Sequence, residues 1–454
     1  MKRLVLLAAL CVAPAILPAC AAEVGGATQV TKLTFQDALE RAEKVNNTVE
    51  RARADVSVAE ANKEQLLSNV LPRITLNGAA QRNSESVSFN AGGTDVTVLP
   101  RNDWNYHLTM SQPVYAGRRE LRAYSQAKIG ILIAQQGVLG TEDAVLLRVA
   151  SNYLGVVNAD NRIAIEQRNI DVAQKRRTQA NAFYEAGEST KVDVLRAETS
   201  IKAAQRQLAA AQQTREEAVS RLRADLDLNG AIEVTDPNNP MPSVPDEQAL
   251  VSRAEASRPD VAVAQNNLQI AHLEVLKQKG FWLPTVTFNG GYVSQKSAFP
   301  APRYAFGALN FTVPILQSGD VEARVAAARA HEIQAQLDLD TAKTTAREDV
   351  RTALTGLHEA ETALGLAKEQ LAAAEAEYNQ VFETYRAQEA TSLDVATSEA
   401  SLAEARRAVN EETLNRDLAQ LRVWYAAGEM KTAVGFAGGE GKEAVNVTSG
   451  AVQK

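Results

Sequence analysis

The chain has 454 residues, of which 45% are hydrophobic but only 5% aromatic, so its apolar content is mostly Ala, Leu and Val, the residues of long packed helices rather than of a thick globular core. Charged residues make up 23% and the formal net charge is −7, a balance that offers no basic face to a nucleic-acid partner.

The first element in chain order is a targeting segment. Lys2 and Arg3 precede an apolar run from Leu4 to Leu17 and then small residues, the three-part plan of a secretory signal, expected over residues 1–21. The run is too short to stay in a bilayer as a spanning helix. Ala19-Cys20-Ala21 offers a small-x-small cleavage site, while Leu17-Pro18-Ala19-Cys20 resembles a lipobox and makes Cys20 a candidate for lipidation. Cys11 and Cys20 are the only cysteines, so no disulfide is expected in the mature chain.

Prolines mark out the rest. None occurs between Pro113 and Pro237, and none after Pro314. Because an interior proline costs about 3 kcal/mol, these Ala-, Gln-, Glu- and Leu-rich tracts predict two very long helices, 117–186 and 319–387, each roughly 100 Å at 1.5 Å per residue. Such helices must pack lengthwise on others. Between the clustered prolines the period changes to two: Ile74 and Leu76 match Val286 and Phe288, and Trp104, Tyr106, Leu108 and Met110 match Leu309, Phe311 and Val313. Each half therefore carries one strand pair with unlike faces.

The order helix, strand pair, long helix, turn, returning helix is thus expected twice, over residues 33–228 and 246–428. In the first half the leading helix spans 33–70 and the strands 72–113; in the second the leading helix, 246–281, breaks near Pro259. A turn-rich linker, 229–245, joins the halves, and a loosely ordered tail is expected over 429–454. The first strand pair is the longer, and its excess predicts an exposed loop near Ser84 to Pro100.

The turn between long and returning helix is written twice. YEAGESTKVDVLRAE begins at Tyr184 and YRAQEATSLDVATSE at Tyr385, with seven of fifteen positions identical. Gly187 suits a left-handed helix end, and Ser189 or Thr190 a helix cap. Asp193 and Asp394 then fall in the first turn of the returning helix, where the dipole favours a carboxylate. Gln388 stands where the first copy has Gly187, so the second turn must close differently or carry strain.

Nothing else points to chemistry. His107, His272, His331 and His358 are scattered without metal-ligand spacing. No G-x-S-x-G, phosphate loop or dinucleotide fingerprint occurs, so neither an enzyme nor a cofactor is expected. The run Lys175-Arg176-Arg177 reads as a solvated helix face. With no apolar run long enough for a membrane helix after the signal, any spanning part must be a closed barrel. Four strands cannot close one. Two copies would supply about eight strands and a filled interior, three copies about twelve and a pore.

The signal, the two helix-strand-strand-helix repeats, the LP-strand openings, the PVYAGRR and PILQSGD junctions and the paired Y…D-V turns resemble the TolC family of outer-membrane export ducts, over residues 33–428. The resemblance implies a mainly α fold with membrane β-hairpins: a long antiparallel α-helical barrel plus a shared outer-membrane β-barrel. It implies a homotrimer in the outer membrane that extends into the periplasm and meets a periplasmic adaptor and an inner-membrane pump of the RND or ABC type, for efflux of small molecules or type I secretion. It also implies that Asp394 lines a narrow entrance and that Tyr385 bonds to Asp193 to hold it shut. Thr397 stands where some members carry a second acidic ring and Ala390 where some carry a bridging arginine. The alternative is a periplasmic coiled-coil adaptor or structural protein without a membrane barrel.

Overall fold

The computed structural model describes residues 31–235, 241–297 and 300–435. After β1 (Thr31–Leu33), the Thr34 hydroxyl accepts a bond from the Asp37 amide at 3.2 Å and opens α1 (Phe35–Val45). The helix expected over 33–70 does not run through. Asn46 takes extended backbone, ends α1, and accepts from the Thr48 amide at 3.0 Å to open α2 (Asn47–Ser68). An asparagine breaks a helix only by competing for its amides, so this break carries no proline mark.

Next come β2 (Arg73–Arg82), β3 (Val87–Ala91), β4 (Thr94–Leu99) and β5 (Asn102–Ala116). The loop expected from Ser84 to Pro100 is largely a hairpin: β3 and β4 pair with each other, Phe89 opposite Val96, around Gly92 and Gly93, whose φ values of 64° and 90° suit a tight two-residue turn. Nor does β5 close at Pro113. It runs on to Ala116 through an irregularity that leaves Val114 out of register, which accommodates a proline that cannot donate to the ladder.

The chain then forms α3 (Arg119–Glu185), α4 (Lys191–Leu226) and β6 (Ile232–Val234), which pairs in parallel with β1, so the expected linker is partly a strand. The second half comprises α5 (Glu247–Ser257), α6 (Pro259–Lys279), β7 (Thr285–Gln295), β8 (Arg303–Thr312), α7 (Asp320–Arg386) and α8 (Ser392–Ala426). Arg258 is extended because proline follows it. The tail expected from 429 begins in order: α9 (Met430–Ala433) buries Met430, and Lys431 reaches Glu43 at 2.7 Å and Glu142 at 2.8 Å. Residues 436–454, like the expected signal 1–21 and Cys20, lie outside the described residues.

One antiparallel sheet in the order β2-β5-β7-β8 joins the strand pairs of both halves. Its register sets Leu76, Leu108 and Tyr292 in one row and Thr75, Thr109 and Gly291 in the next. One face is therefore apolar, with Leu76, Leu309 and Phe311 each about two-thirds exposed, and the other is largely polar. No helix among the described residues is long and apolar enough to cross a membrane. Below the sheet the helices stand side by side as α2-α3-α6-α7, and toward the turns as α4-α3-α8-α7. The two helices of 67 residues run the length of both rows.

Candidate functional site

The two turns meet at the end remote from the sheet. In the first, Gly187 has φ 79°, its amide donates to Tyr184 O at 3.1 Å, and the Glu188 amide reaches back to Phe183 O at 2.8 Å. The second is built the same way without glycine. Gln388 takes φ 64°, and the amides of Gln388 and Glu389 donate to Tyr385 O at 3.0 Å and Thr384 O at 2.9 Å. A left-handed residue with a side chain costs about 1–2 kcal/mol. The Gln388 amide group offsets part of this by donating to the Glu188 carboxylate across the pair of turns.

Each returning helix opens with a reciprocal cap. The Thr190 amide and hydroxyl donate to Asp193 Oδ2 at 3.4 and 3.0 Å. Those of Thr391 donate to Asp394 Oδ2 at 2.9 and 2.7 Å, and the Asp394 amide returns a bond to the Thr391 hydroxyl at 3.3 Å. The two aspartates differ beyond that. Asp193 is half-buried and also receives Ser189 Oγ at 2.8 Å and Ser392 Oγ from the other turn, with Arg196 3.6 Å away. Burial alone would raise its pKa, but the bonds from Ser392, Ser189 and Thr190 outweigh it and hold the carboxyl below its ordinary value. Asp394 is exposed, and bonds from Thr391 alone lower its pKa.

Tyr385 does not make the bond to Asp193 that the resemblance implies. It is 5% exposed, packs edge-on to Phe183 with ring centroids 5.4 Å apart, and its hydroxyl has no hydrogen-bond partner among the described residues. Burial first, and then the charge of Asp193, push its pKa up. The carboxylate is already taken by three hydroxyls, and Ser392 of the second turn reaches Asp193 instead, beside the Gln388 to Glu188 bond. The only hint of this in the sequence is a hydroxyl residue immediately after the cap, where the first copy has Lys191.

Arg176 is likewise not part of a solvated face. It is 1% exposed on α3, and its Nη1 donates to Ser200 Oγ of α4 at 3.1 Å and to Glu399 Oε2 of α8 at 3.0 Å. Burial pushes the Glu399 carboxyl up despite the arginine. Among the described residues no three His, Cys, Asp or Glu side chains could hold a metal ion.

A rod of paired helices that carries a sheet with one apolar and one polar face at one end and a tied pair of turns at the other is the build of a membrane channel with a long helical extension. The outer membrane efflux protein family model matches residues 38–226 and 250–429, and the chain belongs to that family. It is 22% identical to the outer membrane efflux protein BepC of Brucella suis biovar 1 (strain 1330) over 409 residues, 87% of this chain and 86% of the relative. Its fold is similar to that of the transmembrane channel CusC, at a TM-score of 0.75 and 15% identity, covering 87% of this chain and 92% of the other. The outer membrane channel MtrE of Neisseria gonorrhoeae, in its open state, superposes at 0.72 with 19% identity, covering 88% and 90%. Family and fold are those of TolC-like channels, and the protein is placed in the outer membrane, extending into the periplasm.

Proposed function

We propose that three copies of this chain form one passive duct, the outer-membrane component of a tripartite export system, narrowed at the paired turns. The unpaired edges carry this reading. Among the described residues β2 and β8 end the sheet without partners, and α7 leaves Ile333 and Leu337 about 60% exposed along its side. An open row with unlike edges is completed head to tail, β8 of one copy beside β2 of the next, and closes as a ring. Three copies give about twelve strands, enough for a pore. Family membership supports a periplasmic adaptor and an inner-membrane pump of the RND or ABC type as partners, and the efflux role named for the Brucella relative favours small molecules over type I secretion as cargo. The alternative, an adaptor-like coiled coil without a barrel, leaves the two-faced sheet unexplained.

Asp394, exposed and among the described residues bonded through its carboxylate to Thr391 of its own turn, is free to face the threefold axis, where three carboxylates would attract cations in a narrow, low-dielectric constriction. Asp394→Ala should lower cation-over-anion selectivity, read as a smaller reversal potential in a salt gradient across a planar bilayer, and should also loosen the first turn of α8 by removing half of its capping box. An unaltered reversal potential would leave Asp394 as a cap alone. A protein that extracts from outer membranes as a soluble monomer would end the duct reading.

The orientation has its own check. Ser88 is exposed on β3, and its hydroxyl is within hydrogen-bond distance of the Thr97 hydroxyl of β4 at 3.0 Å. Ser88→Cys should react with a membrane-impermeant maleimide on intact cells. A thiol that reacts only after lysis would reverse the topology.

A further inference from the structure

The apolar face of the sheet ends, at the margin remote from the helices, in aromatic rings and then in cations. Tyr292 stands opposite Leu108, and Tyr106 and Trp104 follow on the same face with their rings 5.5 Å apart. In the row of Tyr106 the register places Ser294 and then Arg303, the first residue of β8. Lys296 carries the register one pair beyond β7, its amide donating to Trp104 O at 3.0 Å, and so shares the face of Trp104. Arg82 closes β2 two residues beyond Ala80, the partner of Trp104. All three cations are exposed, and none is within ion-pair distance of a carboxylate among the described residues. The one carboxylate in β2, β5, β7 and β8 is Asp103, which lies opposite Gln81 on the polar face.

We propose that Lys296 and Arg303 of one copy, with Arg82 of the next, bind the phosphorylated headgroup of a lipid in the outer leaflet of the outer membrane, one such site at each join of the ring. The proposal rests on the duct reading, which sets β8 of one copy beside β2 of the next. Arg303 opens β8 and Arg82 closes β2, so both lie at the same end of that join. Their level fits a headgroup. From Val286 to Lys296 the chain climbs about 34 Å, or about 25 Å at the usual barrel tilt, the height of a lipid-facing apolar band. The helices extend on the periplasmic side, so the cations stand at the outer leaflet, where a long basic side chain keeps its stem on apolar surface and its charge among headgroups. Lys296 and Arg303 are diagonal neighbours on adjacent strands, about 7–8 Å apart at Cα, within reach of one phosphate, and arginine can take a phosphate through two parallel bonds. The occupant is a lipid rather than a free anion because the same join is flanked by Ile74, Leu76, Leu309 and Phe311, each about two-thirds exposed. Acyl chains cover that surface, and a soluble ion does not.

Native mass spectrometry of the purified full chain in detergent reads the copy number and the lipid carried in one measurement. Lipid A with both phosphates should bind in preference to lipid A stripped of them, and inorganic phosphate at equal concentration should not displace it. Affinity should fall about five-fold for each cation removed, in Lys296→Gln, Arg303→Gln and Arg82→Gln alike, while Arg303→Lys should keep most of it. Equal binding of the two forms of lipid A, or parent-like binding in Lys296→Gln with Arg303→Gln, overturns the proposal. An Arg82→Gln variant that binds as the parent does overturns it too, because the join then contributes nothing. Displacement by inorganic phosphate would make this an ion site and not a lipid site. A monomeric mass overturns the duct reading, whereas a trimer indifferent to the phosphates leaves that reading standing and removes the lipid site alone.

Discussion

Gly117→Val should leave little assembled protein in the outer membrane, and what can be purified should melt well below the parent. Gly117 ends the β5 strand and begins the turn into α3 at φ +65°, where a side chain is strained by about 1–2 kcal/mol. Space is the larger obstacle. A Cβ there would stand 2.2 Å from Gly280 O and 3.3 Å from Leu283 Cβ. The obstructing atom is backbone, so no rotamer relieves it, and overpacking of this kind adds about 1–3 kcal/mol. Gly280 faces the same limit, 2.6 Å from Gly117 O. The strand-to-helix junction of one half and the helix-to-strand junction of the other touch through their backbones. Gly319, the glycine of the second junction, sits one residue further on, at the N-cap of α7 where α3 has Arg118, and has φ +86° but nothing within 4 Å. Gly319→Val should therefore suffer the strain alone. Equal apparent melting temperatures for the two variants would show that the close approach does not matter.

Glu166→Ala should produce the largest loss among changes to the helical tracts, and the loss should depend on pH. Glu166 is fully buried on α3, gripped by Arg162 at 2.8 Å, by Arg407 at 2.8 and 3.2 Å, and by Asn169 at 3.2 Å. Removing one partner of a buried pair costs about 3–5 kcal/mol. Both arginines keep some contact with solvent, 32% and 21%, so about 2–3 kcal/mol is the better figure. Burial would raise the carboxyl pKa, but Arg407, Asn169 and Arg162 outweigh it and the folded value is lowered. A lowered folded pKa means stability that is present above the unfolded value of about 4.3 and is lost as the pH falls through the folded one. The gap in apparent melting temperature between parent and variant should be widest at neutral pH and narrow in acid. A gap that persists unchanged into strong acid would mean that packing, not charge, holds this position.

Much of the architecture was legible one segment at a time. Absence of proline, with the junction glycines and the repeated turn to mark the ends, predicts α3 and α7 to within two residues at each end, because a helix interior excludes proline whatever packs around it. The two-residue alternation predicts which faces of β5 and β8 are apolar, since the pleat is a local property of the strand. The left-handed turn at Gly187 follows from glycine's freedom. Its twin at Gln388 does not, since a residue that dislikes φ 64° is held there by Glu188 of the other turn, 200 residues away in sequence.

The amino-acid sequence by itself determined the elements, their lengths, their doubling and the family they belong to, because proline exclusion, periodicity and turn chemistry act within a few residues. Only the tertiary structure decided which side chains join the halves. Tyr385 and Asp193 stand near each other without a bond because Ser189, Thr190 and Ser392 reach the carboxylate first. Arg176 lies buried within a charged run because Ser200 and Glu399 arrive from two other helices to receive it. Which donor fills an acceptor is a competition among groups brought together by packing, and no stretch of chain read alone contains all the competitors.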